Sequence, residues 1–174
     1  MNLKIAKNTI ILTAFLSSCV QFLYADTVTT NKTSDTAIQN SILIHINEYR
    51  QQHHLPKLKM NNFIVKEAKQ HSIDMANHSM PFGHKHFSQR IKKLYAQINN
   101  ANAGAENVAY NYKDASDVVK NWLRSPGHKR NIDGHYNLTG IGVARDQKGK
   151  LYFTQIFVRT ELRNKGRVRN NFLF

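Results

Sequence analysis

The apolar residues of this chain keep a helical period along most of its length and switch to a strand period near its end. Ile38, Ile42, Ile46 and Tyr49 recur at four- and three-residue intervals, with Leu43 widening the stripe. Ser34 or Asp35 can cap this helix, and Leu55-Pro56 closes the segment. Asn61 or Asn62 can cap a second helix that puts Ile64, Val65, Ala68, His71, Ser72 and Met75 on one face. Phe87 to Ile98 reads as a third helix. Asp114 to Leu123 reads as a fourth, with Val118, Val119 and Trp122 inward and Pro126-Gly127 ending it. Residues 99–104 read as a turn, and Glu106 to Tyr110 as a short extended segment presented by a small-residue loop. Then the period changes. Thr139 to Ala144 alternates, Leu151 to Val158 is β-rich, and Asp146-Gln147-Lys148-Gly149 between them is a hairpin turn. Helices first and strands last predict an α+β domain in which helices cover an antiparallel sheet. The 174 residues suffice for one domain with a real core.

The N-terminus reads as an export signal over residues 1–25. Lys4 and Lys7 precede the apolar run Ile10 to Leu16, which is short for a membrane span. Two exits are open. Ala25 can end an ordinary signal peptide, or Leu16-Ser17-Ser18-Cys19 can act as a lipobox that lipidates Cys19. Cys19 is the one cysteine of the chain, so the domain beyond it has no disulfide and rests on its core. Residues 26–36 are a polar, Thr-rich spacer, residues 37–160 the domain, and residues 161–174 a basic tail. With 25 Lys+Arg against 11 Asp+Glu, the protein should associate with polyanions. Export and the lack of an aromatic-interleaved basic motif argue against nucleic acid.

Chemistry concentrates in three places: His84 after Phe82-Gly83, Glu106 in Gly104-Ala105-Glu106-Asn107, and His128 in Ser125-Pro126-Gly127-His128. Two imidazoles and a carboxylate converging on one cleft could hold zinc and activate water or a carbonyl. They could equally form a buried polar network, with Glu106 capping backbone N–H groups and His128 bonded to it. Asn107 is expected to fix the segment that carries Glu106. Asn107, Lys129 and Arg130 are candidate ligand or anion contacts beside the cleft. Ser125 is a weak candidate nucleophile and reads better as a helix-end residue.

These pieces, in this order, resemble the CAP superfamily, which groups cysteine-rich secretory, antigen 5 and pathogenesis-related proteins. The carrying segments are Ile46 to Arg50, Phe82 to His84, Gly104 to Ala109, Trp122 to Ile132, Ile141 to Ala144 and Tyr152 to Phe157. They span about residues 38–158 and look most like the bacterial, disulfide-free, single-domain (SCP) branch. The resemblance implies an α-β-α sandwich. It also implies a cleft that in eukaryotic members carries two histidines and two glutamates able to hold a divalent metal. His84 and Glu106 match the first of each. Ser125 stands where the second glutamate would be, and Tyr152 where the second histidine would be. Gly134-His135-Tyr136 imitates the latter pattern but precedes the hairpin. His128 matches the histidine of the bacterial Ser-Pro-Gly-His. Any divalent metal, such as zinc, therefore rests on His84, Glu106 and His128.

Two functions follow as expectations. The first is a non-enzymatic exported module that binds lipid, wall polymer or a host ligand; the resemblance implies lipid or sterol binding in some members. The second is a metal-assisted hydrolase using His84, Glu106 and His128. The protein is expected to be secreted, periplasmic or envelope-attached, with membrane contact only through lipidated Cys19.

Overall fold

The computed structural model describes residues 34–161. The signal segment, Cys19 and all of the basic tail but Glu161 lie outside them. Ser34 caps helix α1 (Asp35–Gln52), its hydroxyl accepting from the Ala37 N–H. The helix thus starts two residues inside the stretch read as spacer. Its isoleucines 38, 42 and 46 are buried, as their spacing requires. Each contributes about 2 kcal/mol by leaving water. Asn61 caps α2 (Asn62–Ala76) by accepting from the N–H groups of Phe63 and Ile64. Asp114 caps α4 (Ala115–Arg124) through Asp117 N–H. Such caps contribute about 1 kcal/mol each.

Among the described residues, five helices pack on a four-stranded sheet ordered β1-β3-β4-β2. Strands β3 (Leu138–Arg145) and β4 (Leu151–Thr160) form the expected hairpin, and β2 (Ala101–Tyr110) pairs antiparallel with β4. The two-residue β1 (Lys59–Met60) pairs parallel with β3, so the sheet is mixed where a purely antiparallel one was expected. One face packs against α1 and α4 through Ile141, Val143, Phe153 and Phe157. The other packs against α2 and α3 (Phe87–Gln97) through Ile156 and Val158. This is an α-β-α sandwich. Among the described residues no helix is long and apolar enough to cross a membrane.

Two local expectations are corrected. Of the stretch read as a turn at residues 99–104, residues 99 and 100 are a turn, but 101–104 open β2, because pairing with Thr160 to Val158 of β4 outweighs their turn-like composition. Glu106 therefore sits mid-strand, not in a loop. Pro126-Gly127 is more than the end of α4. Pro126 opens a further helix, α5 (Pro126–Asp133), at the position where its missing N–H and fixed φ cost nothing.

Helix α2 lies close to the sheet because β3 presents Gly140 and Gly142 to it. A methyl group at either would collide with α2 backbone, at Ile64–Val65 and at Ala68–Lys69 respectively. Ser72 secures the same contact, its hydroxyl bonded to Gly142 O at 3.1 Å and to Thr154 Oγ1 at 2.9 Å.

Candidate functional site

Strand β2 is an edge of the sheet, and its alternation sends neighbouring residues to opposite layers. Glu106 faces α2 and α3. Asn107 faces the layer of α4 and α5. The candidate site forms where the two layers meet along that edge.

Glu106 is buried, its side chain only 1% exposed. Arg90 of α3 binds it bidentately, Nε to Oε2 at 2.9 Å and Nη2 to Oε1 at 2.8 Å, and donates from Nη1 to Lys85 O at 2.8 Å. A buried carboxylate persists when its lone pairs are taken up in this way. Oε1 also accepts from His84 Nδ1 at 2.9 Å. His84 is half exposed, and with Nδ1 turned to Glu106 its Nε2 is left for the cleft.

The loop that carries His84 is held from behind. Gly83 takes φ +136°, a conformation suited to glycine, and its carbonyl accepts from His71 Nε2 at 2.8 Å. His71 is buried, and its Nδ1 has no partner among the described residues. Burial, and then the neighbouring Arg90 charge, hold its pKa below the usual histidine value, so the ring is neutral and Nε2 carries the proton.

His128 comes from α5. Its backbone carbonyl accepts from Asn107 Nδ2 at 3.2 Å, and Asn131 Nδ2 donates to Asn107 Oδ1 at 2.8 Å and to Glu106 O at 3.1 Å. Burial, and then the nearby His84, lower the His128 pKa. The two imidazoles line one cleft of about 530 Å³ with Phe82, Tyr110, Tyr112 and Trp122. That volume falls in the range of small-molecule sites.

The expected triad is thus only partly assembled. His84 and His128 share the cleft, while Glu106 lies beneath His84 and is committed to Arg90. His128 is not bonded to Glu106, and Glu106 caps no backbone N–H among the described contacts; its partners are side chains. Among the described residues no group of three His, Cys, Asp or Glu is disposed to hold a metal ion. A catalytic zinc site takes three protein ligands, and two imidazoles above an occupied carboxylate do not supply them. The residues present do not fit a resident zinc.

Asn107 is fully buried, so it positions α5 and does not face a ligand. Lys129 and Arg130 follow His128 on a helix that turns about 100° per residue, and neither lines the cleft. Lys129 is bonded to Asp133 at 2.6 Å and lies over the Tyr49 ring, contacts that raise its pKa. Arg130 is exposed. Ser125 lines the cleft, but among the described contacts its hydroxyl meets neither imidazole. Sequence reasoning missed Arg90 and read His71 only as one residue of the second helix's face. The available signal was Arg90 standing one turn before Leu94 on the buried side of α3.

Comparison with known proteins bears on the family and the fold. The model of the cysteine-rich secretory protein (CAP) family matches residues 43–157. The membrane protein YlbC of Bacillus subtilis is 33% identical over 132 residues, 74% of this chain and 36% of that protein. YkwD of the same organism is 31% identical over 138 residues, 76% of this chain and 51% of that protein. The chain therefore spans about a third to a half of the length of these relatives. An outer surface protein from Borrelia burgdorferi superposes with a TM-score of 0.65 at 19% identity, covering 74% of this chain and 96% of that one. An extracellular SCP-domain protein from Bacillus anthracis gives 0.61 at 24% identity, covering 72% and 41%. At these identities the structures share the fold.

Proposed function

The chain belongs to the CAP, or cysteine-rich secretory protein, family, and from that premise we propose that it is an exported binding module whose cleft takes a lipid or sterol, a wall polymer or a host molecule. One observation carries this reading: Glu106 has both oxygens engaged by Arg90 and His84. The cleft then offers aromatic walls and two hydrogen-bonding imidazoles, the lining of a recognition site. Export is supported by the N-terminal signal pattern and by the extracellular and outer-surface relatives. Secreted, periplasmic and Cys19-anchored forms are all compatible with it. Nucleic acid has no place in this reading.

A hydrolase remains the second reading, on the ground that Glu106 orients His84 as it would orient a general base. It would act without a resident metal.

Trp122 is the sole tryptophan of the chain and lines the cleft, so its fluorescence reports occupancy directly. Titration with fatty acid, sterol and soluble wall-polymer fragments should give a saturable change with at least one of them, without turnover. His84 is half exposed and can be replaced without unfolding. In His84→Ala protein of verified fold, ligand affinity should fall modestly. Ligand breakdown by the wild type that vanishes in His84→Ala would replace the module reading by the hydrolase.

A further inference from the structure

Tyr110 ends β2 at the mouth of the cleft, and its ring is also a wall of a second basin. That basin, about 370 Å³, opens toward the β3–β4 turn and is lined by His78, Lys148, Lys150 and Tyr152. The ring of Tyr110 stacks on that of Tyr152, its cross-strand partner, at 5.6 Å, and meets Phe82 at 4.9 Å. Phe82 and Tyr110 are nonetheless 49% and 47% exposed, so two braced aromatic side chains face solvent side by side. Lys148 and Lys150 are exposed, and among the described residues neither ammonium is paired with a carboxylate. The nearby Asp146 is engaged in the turn itself, Oδ1 accepting the N–H groups of both lysines at 2.9 and 2.8 Å.

We infer that the cleft and this hairpin basin are two subsites of one groove for an anionic polysaccharide, with Tyr110 and Phe82 as the stacking platform between them. The inference rests on the binding-module reading and narrows it. The apolar C–H face of a pyranose ring matches an exposed, immobilised aromatic face, and sugar hydroxyls match the imidazoles of His84 and His128. Carboxylate or phosphate groups further along the chain match Lys148 and Lys150. An acyl chain would need continuous apolar walls, whereas the second basin is rimmed by Asn77, His78, Gln147 and the two lysines. The excess of 25 Lys+Arg over 11 Asp+Glu favours encounter with a polyanion.

The test uses the exported chain with galacturonate oligomers from di- to octasaccharide, neutral chitin oligosaccharides, and vesicles of phosphatidylglycerol and phosphatidylcholine. Affinity is followed by calorimetry and cleft occupancy by Trp122 fluorescence. The octamer should bind roughly tenfold more tightly than the dimer, because only it engages both subsites. Tyr110→Ala should weaken the octamer roughly tenfold. The double variant Lys148→Gln, Lys150→Gln should weaken it roughly fivefold and flatten its salt dependence. Circular dichroism confirms that each variant is folded. Equal affinity for dimer and octamer, or wild-type affinity in the double lysine variant, would overturn the inference. Vesicle binding that displaces the octamer and survives Tyr110→Ala would overturn it in favour of a membrane surface. If Trp122 still responds to another ligand in those cases, the binding-module reading stands alone. If it responds to none of the probes, both readings fail.

Discussion

Two arginines are buried among the described residues, and they are held in opposite ways. Arg50, at the end of α1, has no carboxylate bonded to it. Its guanidinium donates to the carbonyls of Pro56, Ile132, Gly134 and Tyr136. Arg90 donates mainly to one carboxylate, Glu106, which in turn receives His84. The first arrangement solvates a charge with peptide dipoles and ties α1 to the α5–β3 connection. The second keeps a charge pair whose anionic half aims an imidazole. One guanidinium closes the chain on itself, and the other builds a site. Burial alone does not distinguish the two roles; the partner does.

Replacing Arg50 by Leu should be the most disruptive change, since several buried carbonyls lose their donor together. A loss of about 4 kcal/mol is expected in urea unfolding, while any protein that remains folded keeps its cleft affinity. A loss of cleft affinity in folded Arg50→Leu protein would erase the contrast. Arg90→Leu should cost about 3 kcal/mol by leaving the buried Glu106 carboxylate without its guanidinium and with His84 alone bonded to it. Adding Glu106→Gln to it should restore most of that stability but not the alignment of His84. Cleft affinity should then stay weak in the double variant, and full recovery would make the pair merely structural.

A smaller effect separates the layers behind the two arginines. His71 and His128 both have folded-state pKa values below the ordinary 6.5. The folded state then binds fewer protons than the unfolded chain. Stability is full above 6.5, falls as the pH drops through the window between 6.5 and the depressed values, and levels off below it. His71→Gln keeps a donor for the Gly83 carbonyl and removes one titrating group. It should reduce that fall, measured as unfolding free energy against pH. An unchanged slope would mean that His71 is not held neutral. Lys129→Ala should be the smallest change. Its bond to Asp133 is at the surface and outside the cleft, so neither the unfolding midpoint nor ligand affinity should move.

Most of the fold was legible because burial follows period. The stripe Ile38, Ile42, Ile46 and the alternation in β3 and β4 predict their faces directly. What escaped obeys other rules. The two residues of β1 are too few to show any alternation. The first half of β2 hides behind Asn and Gly, Gly104 lying against the tip of the Ile91 side chain, which would have to shift to admit a larger residue. Pro126 reads as a stop, although the same ring is well suited to a first helical position. In the site, His84 and His128 were recoverable from their motifs. The commitment of Glu106 to Arg90 was not, because an ion pair across two elements leaves no periodic trace. Arg50 and Arg90 do fall in phase with apolar stripes, and a charge in that phase is the readable sign of a buried partner.

Gly140 and Gly142 let α2 rest directly on β3, and α2 carries His71, whose Nε2 holds the Gly83 carbonyl just before His84. The standoff between a helix and a strand is thereby a gauge block for the cleft. Its thickness is set by two hydrogen atoms where other residues carry carbon. A single methylene added there would push on α2 and so be felt at His71, at the Gly83 carbonyl it holds and at the His84 imidazole that follows. In this molecule the calibration of the cleft is stored in the blandest positions of the sheet.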